Sequence, residues 1–287
     1  MSIAAAIESI RSRFSGTLER DVPLSKYTYY RIGGPASVIA TPKTLEDLKL
    51  IHQVIRETGS PFFVLGWGSN LLFPDEGYAG IIIRMKQLFT ECDLVEAGVL
   101  KVGASLGCSS LLRKAQEQGY GKLSHLTGIP GSVGGMITMN AGTHLGEMKN
   151  SCMQVEYVTL EDSFEVKTHT VTESSFSYRH NHFLGKNDLV LHATLRFEPS
   201  DPALVKTEID ELYQRRKATQ PVDFPSCGSV FMNPREVGKH AWQVIDQLGM
   251  RGMIIGGAQI SEKHSNFIIN LGSAQAKDVK ALIDLEI

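Results

Sequence analysis

Cysteine is scarce and unpatterned in this sequence: Cys92, Cys108, Cys152 and Cys227 form no CxxC pair and lie too far apart to frame a disulfide scaffold. That usage fits a reducing compartment and leaves structural zinc without a sequence basis. No apolar run is long enough to cross a bilayer, and no lysine or arginine run resembles a polybasic anchor. A net charge of −2 supplies no basic field for nucleic acid. Repeats and low-complexity tracts are missing, and so is an export signal. Ile3, Ile7, Ile10 and Phe14 recur at helical spacing, but Glu8, Arg11 and Arg13 interrupt them, which describes a short amphipathic helix. What is present is ordinary globular material: 287 residues, 42% hydrophobic and 21% charged, long enough for two or three lobes. The expectation is a cytoplasmic protein with a small-molecule partner; nucleic acid, membrane and protein partners are not implied.

Apolar patterning divides the chain into strands and helices. Val38 to Ala40 reads as a strand, and Thr44 with Asp47 caps a helix bearing Leu48, Ile51 and Ile55 on one face, stopped by Gly59. PFFVLG (61–66) and GIIIRM (80–85) read as buried strands. From Leu100 a second lobe begins, with a helix through Leu111, Leu112 and Ala115. Val155 to Leu160, Glu165 to Val171 and Asp188 to Phe197 then alternate as half-exposed antiparallel strands. Pro202 opens a helix reaching Arg215, Arg216 and Lys217, after which Pro221 and Pro225 enforce an extended link. The remainder contains a helix with Val237, Ala241, Val244, Ile245 and Leu248 on one side, strands near Met253 to Ile260 and Asn266 to Leu271, and a last helix from Ser273. The expected lobes are residues 1–95, 96–200 and 201–287.

Two glycine clusters dominate: LGWGSNLL (65–72) and GIPGSVGG (128–135), the latter followed by Met139, Asn140, Ala141 and Gly142. Glycine permits positive φ and lets backbone N–H groups approach a phosphate. Gly66 and Gly68 follow a strand as in a Rossmann fingerprint, but Leu71 stands where that fingerprint has its third glycine, and neither cluster is a Walker loop. Ser69, Asn70 and Ser132 add side-chain donors. The two clusters are compatible either with plain supporting turns or with one long dinucleotide lying between two lobes, and they do not choose which dinucleotide. A β-branched residue at Gly68 is expected to cost cofactor occupancy more than folding.

Two further clusters carry reactive groups. CGSVFMNP (227–234) sets Ser229 between a glycine and an apolar run, without the G-x-S-x-G elbow of hydrolases. Its hydroxyl is either a turn cap or a proton donor to a carbanion or enol. FSYRHNHF (176–183) sets Arg179 between two strands, where a guanidinium either holds an anionic substrate or is solvated. His180 and His182 flank it without a third ligand, so no metal is assigned. His264 in SEKHSNFIIN (261–270) reads as structural.

Taken in order, YTYYRIGGPA (27–36), LGWGSNLL, GIPGSVGGMITMNAG (128–142), FSYRHN, CGSVFMNP and SEKHSNFIIN resemble the bacterial UDP-N-acetylenolpyruvoylglucosamine reductases, from about Tyr27 to about Ile283. The resemblance is to the shorter, type II class, since only a brief segment separates Phe183 from the strand Leu189 to Phe197. It implies an α+β protein: a two-lobed FAD-binding fold of the vanillyl-alcohol-oxidase and p-cresol-methylhydroxylase type, plus a C-terminal α+β lobe for substrate. It implies FAD held by Arg31, Gly33, Gly66, Gly68, Ser69 and Asn70 and by Ile129, Pro130, Gly131, Ser132, Gly134 and Gly135. Arg179 matches the family's catalytic arginine and Ser229 its proton donor; Arg216 and Asn233 fall in segments that meet the substrate's diphosphate. The implied reaction is NADPH-dependent reduction of UDP-N-acetylglucosamine enolpyruvate to UDP-N-acetylmuramate, a step of peptidoglycan precursor synthesis.

Two departures accompany the resemblance. Met232 stands where the family usually has lysine, so no charge is assigned there. The family's catalytic glutamate lies beyond its last helix, whereas this sequence stops at Ile287 inside an expected helix; Glu286 belongs to that helix by its spacing and is not given the role. An oxidase of small alcohols on the same lobes, and a nucleotide-binding module without chemistry, are the competing readings.

Overall fold

A computed structural model describes residues 2–234, 236 and 238–286, the last of these by its backbone alone. Helix α1 (Ile3–Ile10) is capped by Ser2, whose hydroxyl accepts from Ala5 N. After it come β1 (Thr17–Pro23), β2 (Pro35–Thr41), α2 (Leu45–Thr58), β3 (Phe62–Leu65) and β4 (Tyr78–Arg84). Their sheet has the order β1-β2-β4-β3, with β3 and β4 parallel and Leu65 opposite Arg84. The cap of α2 is the expected capping box, enlarged. Thr44 accepts from Asp47 N, while the Asp47 carboxylate accepts from the N–H groups of Thr44, Lys43 and Ser15 and from the Ser15 hydroxyl. Gly59 closes the helix at φ 60°, a left-handed position that glycine occupies without strain.

The next stretch contributes β5 (Cys92–Glu96), β6 (Val99–Gly103), α3 (Cys108–Glu117), β7 (Tyr120–Gly121), α4 (Val133–Thr138), β8 (Gly142–Thr143), β9 (Gly146–Glu147), β10 (Cys152–Thr159), β11 (Lys167–Thr170), β12 (Phe176–Ser177), β13 (His180–Asn181), β14 (Asp188–Arg196) and β15 (Glu198–Pro199). The longer strands form an antiparallel sheet, β11-β10-β14-β6-β5, in which Val155 faces Ala193 and Ala193 faces Val102. The alternation read from these strands is therefore real pairing. The chain ends with α5 (Pro202–Thr219), α6 (Ala241–Gln247), the hairpin β16 (Ile254–Ile255) and β17 (Ala258–Ile260), β18 (Ile268–Asn270) and α7 (Ala276–Glu286).

These elements make two compact units. The first contains residues up to Arg20, Val38–Trp67 and Gly80–Tyr213; the second contains Asp21–Ser37, Gly68–Ala79 and the chain from Gln214 onward. The first unit holds two apolar cores. One gathers Leu100, Leu111, Leu126, Val133, Ile137 and Leu195; the other gathers Ile7, Ile51, Val54, Ile81, Ile83 and Val158. The second unit has its own core of Tyr30, Ile32, Ile245, Ile260, Ile268 and Leu282.

Several local expectations are corrected. In PFFVLG only Leu65 is buried, because Phe62, Phe63 and Val64 lie on β3 at one edge of its sheet, where they are half covered. The face assigned through Val237 and Leu248 is shorter: α6 starts at Ala241, Leu248 is exposed, and Val237 lies outside the described residues. The stretch Met253 to Ile260 is a hairpin, broken at Gly256 with φ 55°, where a Cβ would run into the Asp278 carboxylate at 2.4 Å. The last helix begins at Ala276 and not Ser273, because Asn270 Oδ1 first takes the N–H groups of Gly272 and Ala274, and Asp75 then accepts from Ala276 N and Lys277 N. No described helix is long and apolar enough to cross a membrane.

Candidate functional site

The first glycine cluster leaves β3 at Leu65. Gly68 is buried, with φ 68°, and its carbonyl accepts from Tyr29 N. Among the described residues none accepts from the backbone N–H groups of Gly66, Trp67, Gly68, Asn70 or Leu71. Consecutive unspent donors in a turn are what an anion such as a phosphate requires. The glycines here differ in what they leave room for. A Cβ on Gly68 would stand 2.3 Å from the Tyr27 carbonyl oxygen, so that position is demanded by the backbone packing of the second unit. A Cβ on Gly66 would meet only Ser132 Oγ, at 2.7 Å. A β-branched residue at Gly68, expected to cost cofactor occupancy more than folding, would therefore strike the Tyr27 backbone and cost folding as well, whereas at Gly66 the obstacle is a single side-chain hydroxyl.

The second cluster leads into α4. Ser132, buried, accepts from Gly135 N at 3.3 Å, and the N–H groups of Val133 and Gly134 donate to the carbonyls of Leu106 and Ala104. The donors at the start of this helix are spent inside the protein; those of Gly131 and Ser132 have no acceptor among the described residues. Gly134 serves close approach, its Cβ position lying 3.0 Å from Ala104 Cβ. Ile129 and Pro130 are half-buried on the way in.

Within the first unit the two clusters meet. Gly66 adjoins Ser132, Ser132 pairs with Gly107 as an isolated antiparallel bridge, and Gly107 lies under the Trp67 ring, where a Cβ would come within 2.5 Å of the indole. Trp67 Nε1 donates to the Ser105 carbonyl at 3.2 Å. The Ser105 hydroxyl is buried and has no hydrogen-bond partner among the described residues. Unspent N–H groups, a missing side chain at Gly66 and an unpaired buried hydroxyl together fit an extended polar anion such as a dinucleotide diphosphate.

Arg179 occupies the tip of the β12–β13 hairpin at φ 58°. Its guanidinium donates to the carbonyls of Asn140, at 3.3 Å, and Gly142, at 2.7 Å, immediately after the second cluster, and its Cζ lies 5.2 Å from the Tyr178 ring centroid. Those partners orient the group without neutralising it, and no described carboxylate pairs with it. Fully buried Asn140 stiffens the arrangement: its Nδ2 donates to Glu147 and to the Ser177 carbonyl, and its Oδ1 accepts from Lys149 N. His182 pairs with Ser177, and the His180 and His182 rings contact each other edge to face.

The second unit carries the other candidates. Ser229 is exposed, follows Gly228 at φ 85°, and has no hydrogen-bond partner among the described residues. Its position is fixed from behind: Asn266 accepts from Val230 N and Phe231 N through its carbonyl and side-chain oxygens, and its Nδ2 donates back to the Phe231 carbonyl. Burial pushes the neighbouring Cys227 thiol up to about 11, so it is protonated at neutral pH. Arg31 is exposed at φ 55° between buried Tyr30 and Ile32, and Gly33 lies against Phe73. Ser69 is half-buried and Asn70 exposed. Asn233 Oδ1 accepts from Ala241 N, fixing the start of α6, and Arg216 is half-buried in the last turn of α5. Met232 is exposed. Burial holds His264 below the usual histidine range, and its ring packs against Phe267 and Trp242.

Trp67, Ser105 and Gly107 were not among the residues singled out from the sequence. The tryptophan sat inside a quoted motif, but nothing in the spacing indicates that its partner is a glycine forty residues later. Asn266 was likewise visible only as part of a motif.

Comparison with known proteins gives first the class. Residues 36–166 match the model of an FAD-binding domain, and a variant of the BBE-like 1 protein from Physcomitrella patens shares the fold at a TM-score of 0.51 and 15% identity over 69% of this chain and 45% of its own. The protein is an FAD-dependent oxidoreductase of the vanillyl-alcohol-oxidase fold type, with an added C-terminal α+β region. Residues 220–285 match the C-terminal domain of UDP-N-acetylenolpyruvoylglucosamine reductase. The crystal structure of that reductase from Thermus caldophilus is similar at a TM-score of 0.82, with 36% identity and 94% of each chain covered. Reductases from Carboxydothermus hydrogenoformans, 36% identical over 99% of this chain and 92% of theirs, and Lactobacillus delbrueckii, 40% over 93% and 88%, are also similar. The chain belongs to the UDP-N-acetylenolpyruvoylglucosamine reductase family.

Proposed function

We propose that the protein reduces UDP-N-acetylglucosamine enolpyruvate to UDP-N-acetylmuramate with NADPH, as a cytoplasmic step of peptidoglycan precursor synthesis. The observation that carries the cofactor half of this reading is the Gly66 turn lying against Ser132, with its N–H groups unspent. The diphosphate of FAD would be held by Gly66, Gly68, Ser69 and Asn70 together with Ile129, Pro130, Gly131 and Ser132, with Gly134 and Gly135 keeping that segment close and Arg31 and Gly33 adding to the cofactor site. When bound, FAD supplies a two-electron relay from the nicotinamide donor to the enol-ether carbon C3. We assign lobes 1–95 and 96–200 to the cofactor and 201–287 to the substrate.

The chain's own groups handle charge and proton. As C3 gains hydride, negative charge grows on C2 and the adjoining carboxylate. Arg179, oriented by two carbonyls and with no carboxylate partner among the described residues, stabilises that charge. Ser229, exposed and without a partner among the described residues on a backbone that Asn266 immobilises, delivers a proton to C2 and completes the lactyl ether. Arg216 and Asn233 bind the substrate's diphosphate. The test is NADPH consumption by purified holoprotein: oxidation should depend on the enolpyruvyl substrate and yield the muramate product stoichiometrically. Substrate-independent NADPH oxidation, or oxygen uptake with small alcohols instead, contradicts the proposal.

A further inference from the structure

The exit of β4 runs beside the phosphate turn and brings two cations with it. Arg84 is the register partner of Leu65, and Met85 N donates to the Leu65 carbonyl at 2.8 Å, so Lys86 emerges next to the residues that begin the turn. Lys86 Nζ lies over the Trp67 ring, 3.8 Å from its centroid. The indole beneath it is fixed on two sides, by its hydrogen bond to the Ser105 carbonyl and by the bare backbone of Gly107. A lysine that would otherwise roam is therefore held at the midpoint of a turn whose N–H groups await an anion.

Lys86 has no ion pair among the described residues, unlike Lys101, whose ammonium faces Glu156, so its charge is not already spent on a carboxylate. Partial desolvation of this otherwise exposed side chain, and then the like charge of Arg84, both lower its pKa, which is the state an incoming anion relieves. We propose that Lys86, held over Trp67, is a further cofactor-binding residue whose ammonium neutralises charge on the FAD diphosphate. This rests on the reading that FAD occupies the Gly66 turn. The pair also explains why an aromatic ring sits inside the glycine turn: it gives a flexible ammonium one address.

The test is titration of FAD into flavin-stripped full-length protein over a range of salt concentrations, followed by flavin fluorescence, with the unfolding midpoint of each apoprotein measured in parallel. Lys86→Met is expected to weaken FAD binding roughly tenfold and to flatten its salt dependence. Its unfolding midpoint should stay at the wild-type value, because the side chain is exposed and lacks an ion-pair partner. Lys86→Arg should restore most of the affinity, since it keeps the charge over the ring. Trp67→Leu, which leaves the ammonium unplaced, should show the same flattened salt dependence. Unchanged affinity and unchanged salt slope in Lys86→Met overturn the inference while leaving the cofactor site intact; wild-type apoprotein that takes up no FAD at all overturns the underlying site instead.

Discussion

Ser229 and Arg179 differ in how the protein holds them, and that difference separates their variants. Flavin reduction by NADPH needs no proton at substrate carbon, so Ser229→Ala should reduce flavin at a near-normal rate and fail when substrate reoxidises it, by roughly 10²- to 10⁴-fold. Ser229→Cys should recover part of that loss. Arg179→Lys keeps a charge but cannot donate to the Asn140 and Gly142 carbonyls as a planar fork, so it should slow the same half-reaction and also weaken substrate binding. Stopped-flow traces of the two half-reactions distinguish these outcomes; a Ser229→Ala defect confined to flavin reduction contradicts the assigned role. The two glycines of the first turn also part company. Gly66→Ala should lower FAD affinity roughly tenfold at a folding cost near 1 kcal/mol from a displaced Ser132 cap. Gly68→Ala, driven into the Tyr27 carbonyl, should lower the unfolding midpoint severely.

Among the elements, the cap of α2 makes a pH-dependent contribution. Burial alone would raise the Asp47 pKa, but three N–H groups and the Ser15 hydroxyl more than offset it and hold it below the usual carboxylate range. The folded-state pKa is thus lower than the unfolded one, and the stabilisation is fully present above about pH 4 and is lost as pH falls through the folded value. Asp47→Asn should cost roughly 1–2 kcal/mol at pH 7, with the gap to wild type narrowing near pH 3. Urea midpoints at the two pH values measure this, and an equal gap at both contradicts it. This cap was legible because Thr44, Asp47, the Leu48 face and Gly59 are local signals. β1 was not, because Thr17–Pro23 is largely exposed and carries no apolar alternation, and α7 began late because its first N–H groups are taken by Asp75, two hundred residues upstream.

Across the whole molecule, the motifs carried the family resemblance, while the residues that support them became visible only in the fold. The glycine clusters, Arg179 and Ser229 were candidates by residue type, each with an ordinary structural reading beside the functional one, and it was their shared order along the chain that pointed to one family. What the sequence could not carry was long-range closure: Gly66 against Ser132, Trp67 against Gly107, and Asn266 behind Ser229 depend on the fold that brings distant residues to one place. The α+β pattern was visible in the β10, β11 and β14 alternation, while the extents of the last unit's short elements were set by side-chain caps that periodicity does not register. A single anaerobic turnover tests the proposed reaction directly. Holoprotein reduced by one equivalent of NADPH should regain its oxidised flavin spectrum on mixing with one equivalent of UDP-N-acetylglucosamine enolpyruvate, with one equivalent of UDP-N-acetylmuramate recovered. Flavin that stays reduced in the presence of that substrate and is reoxidised only when oxygen is admitted contradicts the account.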